Sequence, residues 1–554
     1  MPNTGPAASV RLPRLVVLLS ILVSLVMIAF VYRDLSPSWD EPAHIGNGIA
    51  WLTPPYHMID PVDPPIGRVS AAFGPWLFGA KAINTVRPWD AGNLILREDG
   101  HYWRTATLAR LGILPWYFLA VFLVWNMTRR WLGEWPAALA AVLFIFCPPI
   151  LANASIATTD MPFLATFLLA LDRIWIALRE PKWLNYAWAG IAVGLACSSK
   201  MSGLPFSLLC TVILAAYLWW IERKQTRLHP QQPHWKLPRL AAVVFSVAVM
   251  ALTIWAAYRF QIGSLATAAE SRASVERLAA KTGPLHPAIM ALVDHMPAYQ
   301  FIQGVRVARQ FTKHPPEGYL FGQTYTHGRT YFFFFMLLVK TPIPLLILGL
   351  AGMWIALRRL PGGTDPFVIV PLAGFFVPMA IATASHVHLG IRHILVCYVF
   401  LAMFSALAAL KLVESKSLSK GVKAGVLGAL LAWNIIACIV ATPDFLAWYN
   451  EPAAPYATFI HDDSDYDWGQ DLYRLSTKLQ GLHVDQVWIS YNGALDFDQF
   501  HLPPWKELPR GVPEKGWIAI SETNYRTQPQ AFSWLSPYQP VAIAGKTIRI
   551  YHIE

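Results

Sequence analysis

Eleven long apolar runs limit what this chain can become. They fall at about 15–32, 106–126, 136–152, 161–178, 184–199, 203–221, 240–260, 334–357, 366–384, 391–411 and 422–442. Each is near the roughly 20 residues that a helix needs to cross about 30 Å of hydrocarbon. In lipid only helices and closed barrels satisfy every backbone group, and runs this continuous exclude barrel strands. Composition points the same way. Only 14% of the 554 residues are charged and the mean hydropathy is +0.40, where a soluble domain carries roughly 25% charged residues. The chain reads as a polytopic α-helical membrane protein with about 11 transmembrane helices.

Charge sets the expected orientation. Arg11 and Arg14 precede the first run, which ends in Tyr32-Arg33-Asp34 with no small-residue cleavage site, so a retained span is expected with its amino end in the cytoplasm. Counting from there, the loops left inside carry Arg129 and Arg130; Arg179 and Lys182; Arg223, Lys224, Arg227, Lys236 and Arg239; Arg358 and Arg359; and Lys416, Lys420 and Lys423. Every inside loop is basic, as the positive-inside rule requires. The net charge of +11 is thereby spent on topology, and no basic domain remains to bind nucleic acid. The cysteines Cys147, Cys197, Cys210, Cys397 and Cys438 lie in or beside apolar runs and read as small core residues. The expected location is the cell inner (plasma) membrane, multi-pass, with a periplasmic carboxyl terminus.

Three outer segments are long: about 33–105, about 261–333, and the tail from 443. The tail has β-like stretches at 484–493, 516–521 and 541–553 around a helical pattern at 471–482. Strands alternating with helix predict a small C-terminal extracytoplasmic α/β domain over 443–554, after a transmembrane domain over 1–442.

Topology also sorts the chemistry. Asp40 and Glu41 follow the first span, and Asp160 follows the third at the same membrane height. Lys200 follows the fifth and Arg259 ends the seventh, while His386, His388, Arg392 and His393 follow the ninth. Acids and cations gathered at one membrane face are costly and mark function by default. Plainer readings stand beside this. Asp40 and Asp160 each precede a helix-starting Pro segment and suit an N-cap; Lys200 suits an interfacial lysine that snorkels. His386 and His388 lack a third ligand for zinc, so no metal site is assigned. Asn153-Ala154-Ser155 matches a glycosylation sequon. The acidic run at 461–471 has oxygen ligands for a divalent ion but not the spacing of an EF-hand, and reads more simply as a solvated turn.

Several blocks resemble the protein O-mannosyltransferase-like glycosyltransferases, family 39 of the GT-C fold, including bacterial phospholipid carrier-dependent members. Asp40-Glu41 with DPVDPPIGRVSAAFGPWLFG (60–79) resembles their first outer loop, and TTDMPF (158–163) their second acidic motif. GIAVGLACSSKMSGL (190–204), GRTYFFFFMLLVKTPIPLL (328–346), HLGIRHIL (388–395) and DDSDYDWGQDLYRL (462–475) are similar to later blocks. The β-trefoil insertion of eukaryotic protein mannosyltransferases has no counterpart, which leaves a protein acceptor in doubt.

The resemblance implies a polyprenyl-phosphate-linked sugar donor, used in the lipid bilayer at its outer face. Such transfer needs a general base for the acceptor hydroxyl and cations for the leaving phosphate. By resemblance Asp40 is the base, Glu41 orients its loop and Asp160 positions acceptor or sugar, with the roles of Asp40 and Asp160 interchangeable. Lys200, Lys340 and Arg392, with His393 and Arg259 behind them, are the phosphate-binding candidates. One base without a covalent nucleophile predicts inversion. No cofactor is required by these residues, and sugar and acceptor stay open. A transporter or flippase of lipid-linked sugars, with charges lining a transbilayer path, is the alternative from another class; a non-catalytic scaffold is the third.

Overall fold

The computed structural model describes residues 6–98, 100–228, 239–266, 269–460 and 463–554. Lys236 of the basic loop, and His461 and Asp462 of the acidic run, lie outside the described residues. All eleven apolar runs are helical. Among the described residues nine helices are long and apolar enough to cross a membrane, from Arg11–Asp34 to Lys420–Val440. The other two runs differ. The fifth is a helix of 15 residues, Trp183–Cys197. The third is a bent pair, Glu134–Ile145 and Pro148–Ala154, with 68° between them. Cys147 before Pro148 is extended, because a proline ring disfavours helical geometry in the residue before it.

Two later runs are also interrupted, and both interruptions carry candidate residues. The eighth splits into Phe332–Lys340 and Ile343–Arg359 at Thr341-Pro342. The tenth opens with a 3-10 turn, Ile391–Ile394, before Cys397–Glu414. Span four, Asp160–Arg179, is the most enclosed of the nine and begins with Asp160. At its far end Asp172 is fully buried and pairs with Arg130 and Arg173. Arg359 and Trp131 meet Asp365 on that same far face. The basic span ends thus collect opposite Asp160.

The first outer loop is compact and helical. It contains α1 (Glu41–Leu52), α2 (Pro65–Leu77) and α3 (Pro88–Glu98), each with a proline in its first turn, where a missing N–H costs nothing. The tail begins with a segment that joins the main apolar core: Phe445, Leu472 and Val487 share one cluster with Phe167 and Phe404 of the spans. Its sheet has five strands, β1 (Val487–Ser490), β2 (Trp505–Glu507), β3 (Gly516–Ser521), β4 (Ala542–Ala544) and β5 (Ile548–Ile553), in the order β2-β1-β3-β5-β4. β1 pairs parallel with both β2 and β3, and β5 antiparallel with both β3 and β4. The stretch predicted as one strand at 541–553 is two, parted at Gly545 with φ +57°. β2 escapes sequence reasoning because it is a short, exposed edge strand behind Pro503-Pro504.

Close helix approach sets the loop's shape. A Cβ on Gly92 of α3 would sit inside the van der Waals radius of the Pro42 carbonyl of α1. Gly92→Ala is therefore expected to part α1 from α3 and lower stability by about 1–3 kcal/mol, as overpacking does. Thermal denaturation of the purified chain in detergent measures this.

Candidate active site

Two ion pairs meet at the outer ends of the spans. Arg392 Nη1 donates to Asp40 Oδ2 at 2.7 Å, and Lys200 Nζ donates to Asp160 Oδ1 at 2.6 Å. Arg392 also lies within electrostatic range of Asp160, and His393 within range of Asp160, Lys200 and Arg392. Residues 40, 160, 200, 392 and 393 therefore form one cluster. Neither carboxylate caps its helix: Asp40 and the turn before Asp160 show no side-chain cap bond. Nor does Lys200 snorkel freely, since its ammonium is held by Asp160. Asp160 is 3% exposed, whereas Asp40 is 23% exposed, so Asp40 is the more accessible of the two carboxylates.

Glu41 points away from solvent and organises the cluster from behind. Its Oε2 accepts from Arg110 Nε at 2.8 Å and from the Ala157 N–H at 3.0 Å. Its Oε1 accepts from the Ser38 N–H at 2.7 Å and Arg110 Nη2 at 3.0 Å. Both charged side chains are 1% exposed. Arg110 also donates from Nη1 to the Leu35 carbonyl and from Nη2 to the Ser36 carbonyl. One bidentate pair thus binds the end of span one, span two, and the strand of chain leading into Asp160. Arg110 was not among the sequence candidates, although an arginine inside a predicted span was a signal for it.

The acidic run is not a solvated turn. Asp465, Asp467 and Asp471 are all buried, and each carboxylate collects backbone N–H groups. Asp465 accepts from Ile391 at 3.0 Å, next to Arg392. Asp467 accepts from Thr523 at 3.0 Å, and Asp471 from Lys546 at 2.9 Å and Thr547 at 3.1 Å. The same segment pairs with the chain before Asp40: Trp39 donates to the Trp468 carbonyl and Ser36 to that of Gln470, each at 2.9 Å. The Arg392 guanidinium lies over the Trp468 ring at 4.4 Å. Asp40 and Arg392 are therefore positioned by one strip of the tail. Among the described residues no three His, Cys, Asp or Glu groups are placed to hold a metal ion.

The remaining candidates fall elsewhere. Lys340 is buried, donating to the carbonyls of Leu446 at 2.8 Å and Asp465 at 2.7 Å, with its ammonium over Tyr449. It lines a small cavity together with Arg392 and Trp468. Arg259 lies over the Tyr56 ring at 3.9 Å and reaches the Trp51 carbonyl, beside α1 and not at the ion pairs. His388 stacks on Phe332 at 4.1 Å and bonds the Tyr325 hydroxyl at 2.8 Å. Asn153 of the sequon is buried and donates to the Pro149 carbonyl, which closes it to glycosylation in the folded chain.

One wall of the cluster comes from the loop between α1 and α2. Arg68 Nη1 donates to the Asp60 carbonyl at 2.8 Å, and Asp60 N–H to Asn47 Oδ1 at 3.0 Å. Burial raises the Asp60 carboxyl above the usual range. Ile66 N–H donates to the Ser198 carbonyl at 3.0 Å, two residues before Lys200.

Residues 56–263 match the dolichyl-phosphate-mannose-protein mannosyltransferase family. The matched stretch carries Asp160, Lys200 and the wall loop, and it agrees with the family that the sequence motifs resemble. No curated protein matches the chain. Solved structures similar to it include ArnT from Cupriavidus metallidurans bound to undecaprenyl phosphate, at 14% identity and a TM-score of 0.46, covering 96% of this chain and 97% of that one. Another is the archaeal oligosaccharyltransferase AglB from Archaeoglobus fulgidus with an inhibitory peptide and a dolichol-phosphate, at 14% identity and 0.46, covering 93% and 70%.

Two outcomes follow from this geometry. Glu41→Ala or Arg110→Ala leaves a buried charge alone and is expected to cost about 3–5 kcal/mol. The pair Glu41→Met with Arg110→Met recovers much of that loss in a melting experiment. Separately, burial pushes the Asp467 carboxyl up to about 7, against the opposing backbone bonds from Thr523 and Gly469. The folded state then holds a proton that the unfolded state, with a carboxyl near about 3.9, releases. Stability from this group is full below that lower value and is lost as pH rises through about 7. The difference between wild-type and Asp467→Asn melting temperatures should change sign-consistently across that window and level off above it.

Proposed function

We propose that the chain transfers a sugar from a polyprenyl-phosphate carrier to an acceptor hydroxyl at the outer face of the membrane, with Asp40 as general base. The observation that carries this is the pairing of two carboxylates with two cations at one membrane face, Asp40 with Arg392 and Asp160 with Lys200. That is the charge set a lipid-phosphate leaving group and a hydroxyl nucleophile require. The family match over 56–263 supports the donor class.

The step balances as a single displacement. The acceptor oxygen bonds to the anomeric carbon as that carbon's bond to the phosphate oxygen breaks. The hydroxyl proton passes to Asp40, and the electron pair leaves on the carrier phosphate, with inversion. Asp40 Oδ2 is engaged by Arg392 while Oδ1 has no hydrogen-bond partner among the described residues, which leaves an oxygen for the proton. An arriving phosphate competes for Arg392 and Lys200, so donor binding itself loosens the carboxylates from their cations and raises their basicity. Asp160 then orients the acceptor or the sugar. Glu41 is a positioning residue, as its bonds are all to protein groups.

The carrier tail needs an apolar path beside these charges. A groove lined by Phe321, Phe335, Leu338, Ile343, Tyr456 and Phe459 opens at Val339, the neighbour of Lys340, and fits an isoprenoid chain. The amino terminus is taken as cytoplasmic and the tail as periplasmic on the charge distribution of the loops.

The experiment is sugar release from labelled polyprenyl-phosphate sugars by the reconstituted protein. Asp40→Asn is expected to lower turnover by about 10²–10⁴-fold, the range for a general base, while its melting temperature stays near wild type. Asp40→Asn at full rate removes the assignment. Passage of intact lipid-linked sugar across the bilayer, with no release, would establish a transporter instead.

A further inference from the structure

The parallel part of the tail sheet delivers three carboxyl-terminal strand ends to one edge. Past the ends of β1, β2 and β3 lies a cleft of about 400 Å³. Small-ligand clefts run from about 300 to 1,000 Å³ and favour this edge of an open sheet. Nothing in the transfer step described above uses it.

Its lining has a particular chemistry. Trp505 is 47% exposed and meets Phe497 edge-on at 4.8 Å, and Phe497 in turn meets Tyr491 at 5.4 Å. A rigid aromatic face left open to water suits a ligand with an apolar flank and polar edges. Around it stand planar polar groups. The Asn524 amide is held by Ser490 Oγ at 3.0 Å. Glu507 and Arg510 are exposed, and among the described residues their side chains make no hydrogen bond or ion pair. Carboxylate, guanidinium and amide edges match vicinal hydroxyls in pairs. Asp496 is paired with Arg97 and Glu507 offsets Arg510, so the cleft has no net positive charge with which to hold nucleic acid or a phosphorylated ligand.

The cleft is also coupled to the ion-pair cluster by two struts. Its rim is strapped to α3, where Asn93 Nδ2 donates to the Ala494 carbonyl at 2.5 Å and Arg97 Nη1 to Asp496 Oδ2 at 3.0 Å. α3 packs on α1, whose first residue follows Asp40. On the other side the Tyr491 hydroxyl donates to the Gly469 carbonyl at 2.5 Å, and Gly469 adjoins Trp468 beneath Arg392. We propose that this cleft binds a neutral, hydroxyl-rich carbohydrate and serves as a subsite for a glycan acceptor. The acceptor role rests on the glycosyltransferase reading above; carbohydrate binding does not.

The test uses the full chain in lipid nanodiscs, with soluble tetrasaccharides of mannose, glucose and galactose as probes at millimolar concentration. Saturation-transfer NMR reads binding, and sugar release from the lipid donor reads turnover. At least one probe is expected to bind wild type, to weaken about tenfold or more in Trp505→Ala, and to bind Asp40→Asn undiminished. Glu507→Gln, also exposed, should weaken the same probe and shield the conclusion from any folding defect of the tryptophan variant. No binding of any probe to wild type, or equal binding to Trp505→Ala and Glu507→Gln, overturns the site. Binding lost in those variants while the probe's stimulation of turnover persists overturns the acceptor role alone. Binding intact in a protein that turns over no donor leaves a carbohydrate site and defeats the transferase reading.

Discussion

The bidentate pair of Glu41 and Arg110 is the contact on which the outer face depends. Both groups are withdrawn from water, and an isolated charge there would be severely penalised. They are tolerated because both carboxylate oxygens and all three guanidinium nitrogens have partners, including the Leu35, Ser36 and Ala157 backbone. Such a pair adds little net stability compared with an apolar replacement. Its effect is geometric: it forces the end of span one, span two and the entry to span four into one register. Asp40 and Asp160 sit one and three residues from that junction. The pair also separates two adjacent acids by role, Glu41 facing protein and Asp40 facing the open side.

A second layer comes from the tail. The carboxylates of Asp465, Asp467 and Asp471 each satisfy backbone N–H groups that would otherwise be buried without acceptors. They bind the turn before Arg392, the end of β3 and the β4–β5 turn to one strip of chain. That strip also pairs its own backbone with Ser36 and Trp39. The small sheet is thus attached to the ion-pair cluster through hydrogen bonds and not merely tethered after the last span. The cleft at the strand ends is joined to the ion-pair cluster for this reason.

Breaks in the spans do the remaining positioning. Pro148-Pro149 bends the third run, Thr341-Pro342 divides the eighth, and Gly390 at φ +91° precedes the turn that holds Arg392. Irregular backbone at membrane level is tolerated only where it is buried in protein or lines a cavity. Two of these breaks carry a charged group to the cluster or its cavity, Lys340 and Arg392.

Much of this was legible in the sequence. Run length located helix at all eleven apolar runs, although among the described residues only nine helices are long and apolar enough to cross a membrane, and alternating span direction put Asp40, Asp160, Lys200 and Arg392 at one end of the bundle. Those are one-dimensional properties, set by hydrocarbon thickness and by the cost of moving charge across it. What the tertiary structure decided is which charges face each other. Arg259 lies within the same nominal layer yet stacks on Tyr56, and Arg110, hidden inside a span, outweighs it at the site. The acidic run read as a solvated turn because oxygen-rich sequence resembles surface; it is buried because its partners come from residues distant in the chain, among them Ser36, Lys340, Ile391 and Thr547. Sequence specifies where a chain can cross a bilayer, since lipid acts on each segment separately. Only packing specifies hydrogen-bond partners, because those depend on segments that meet in space and not along the chain.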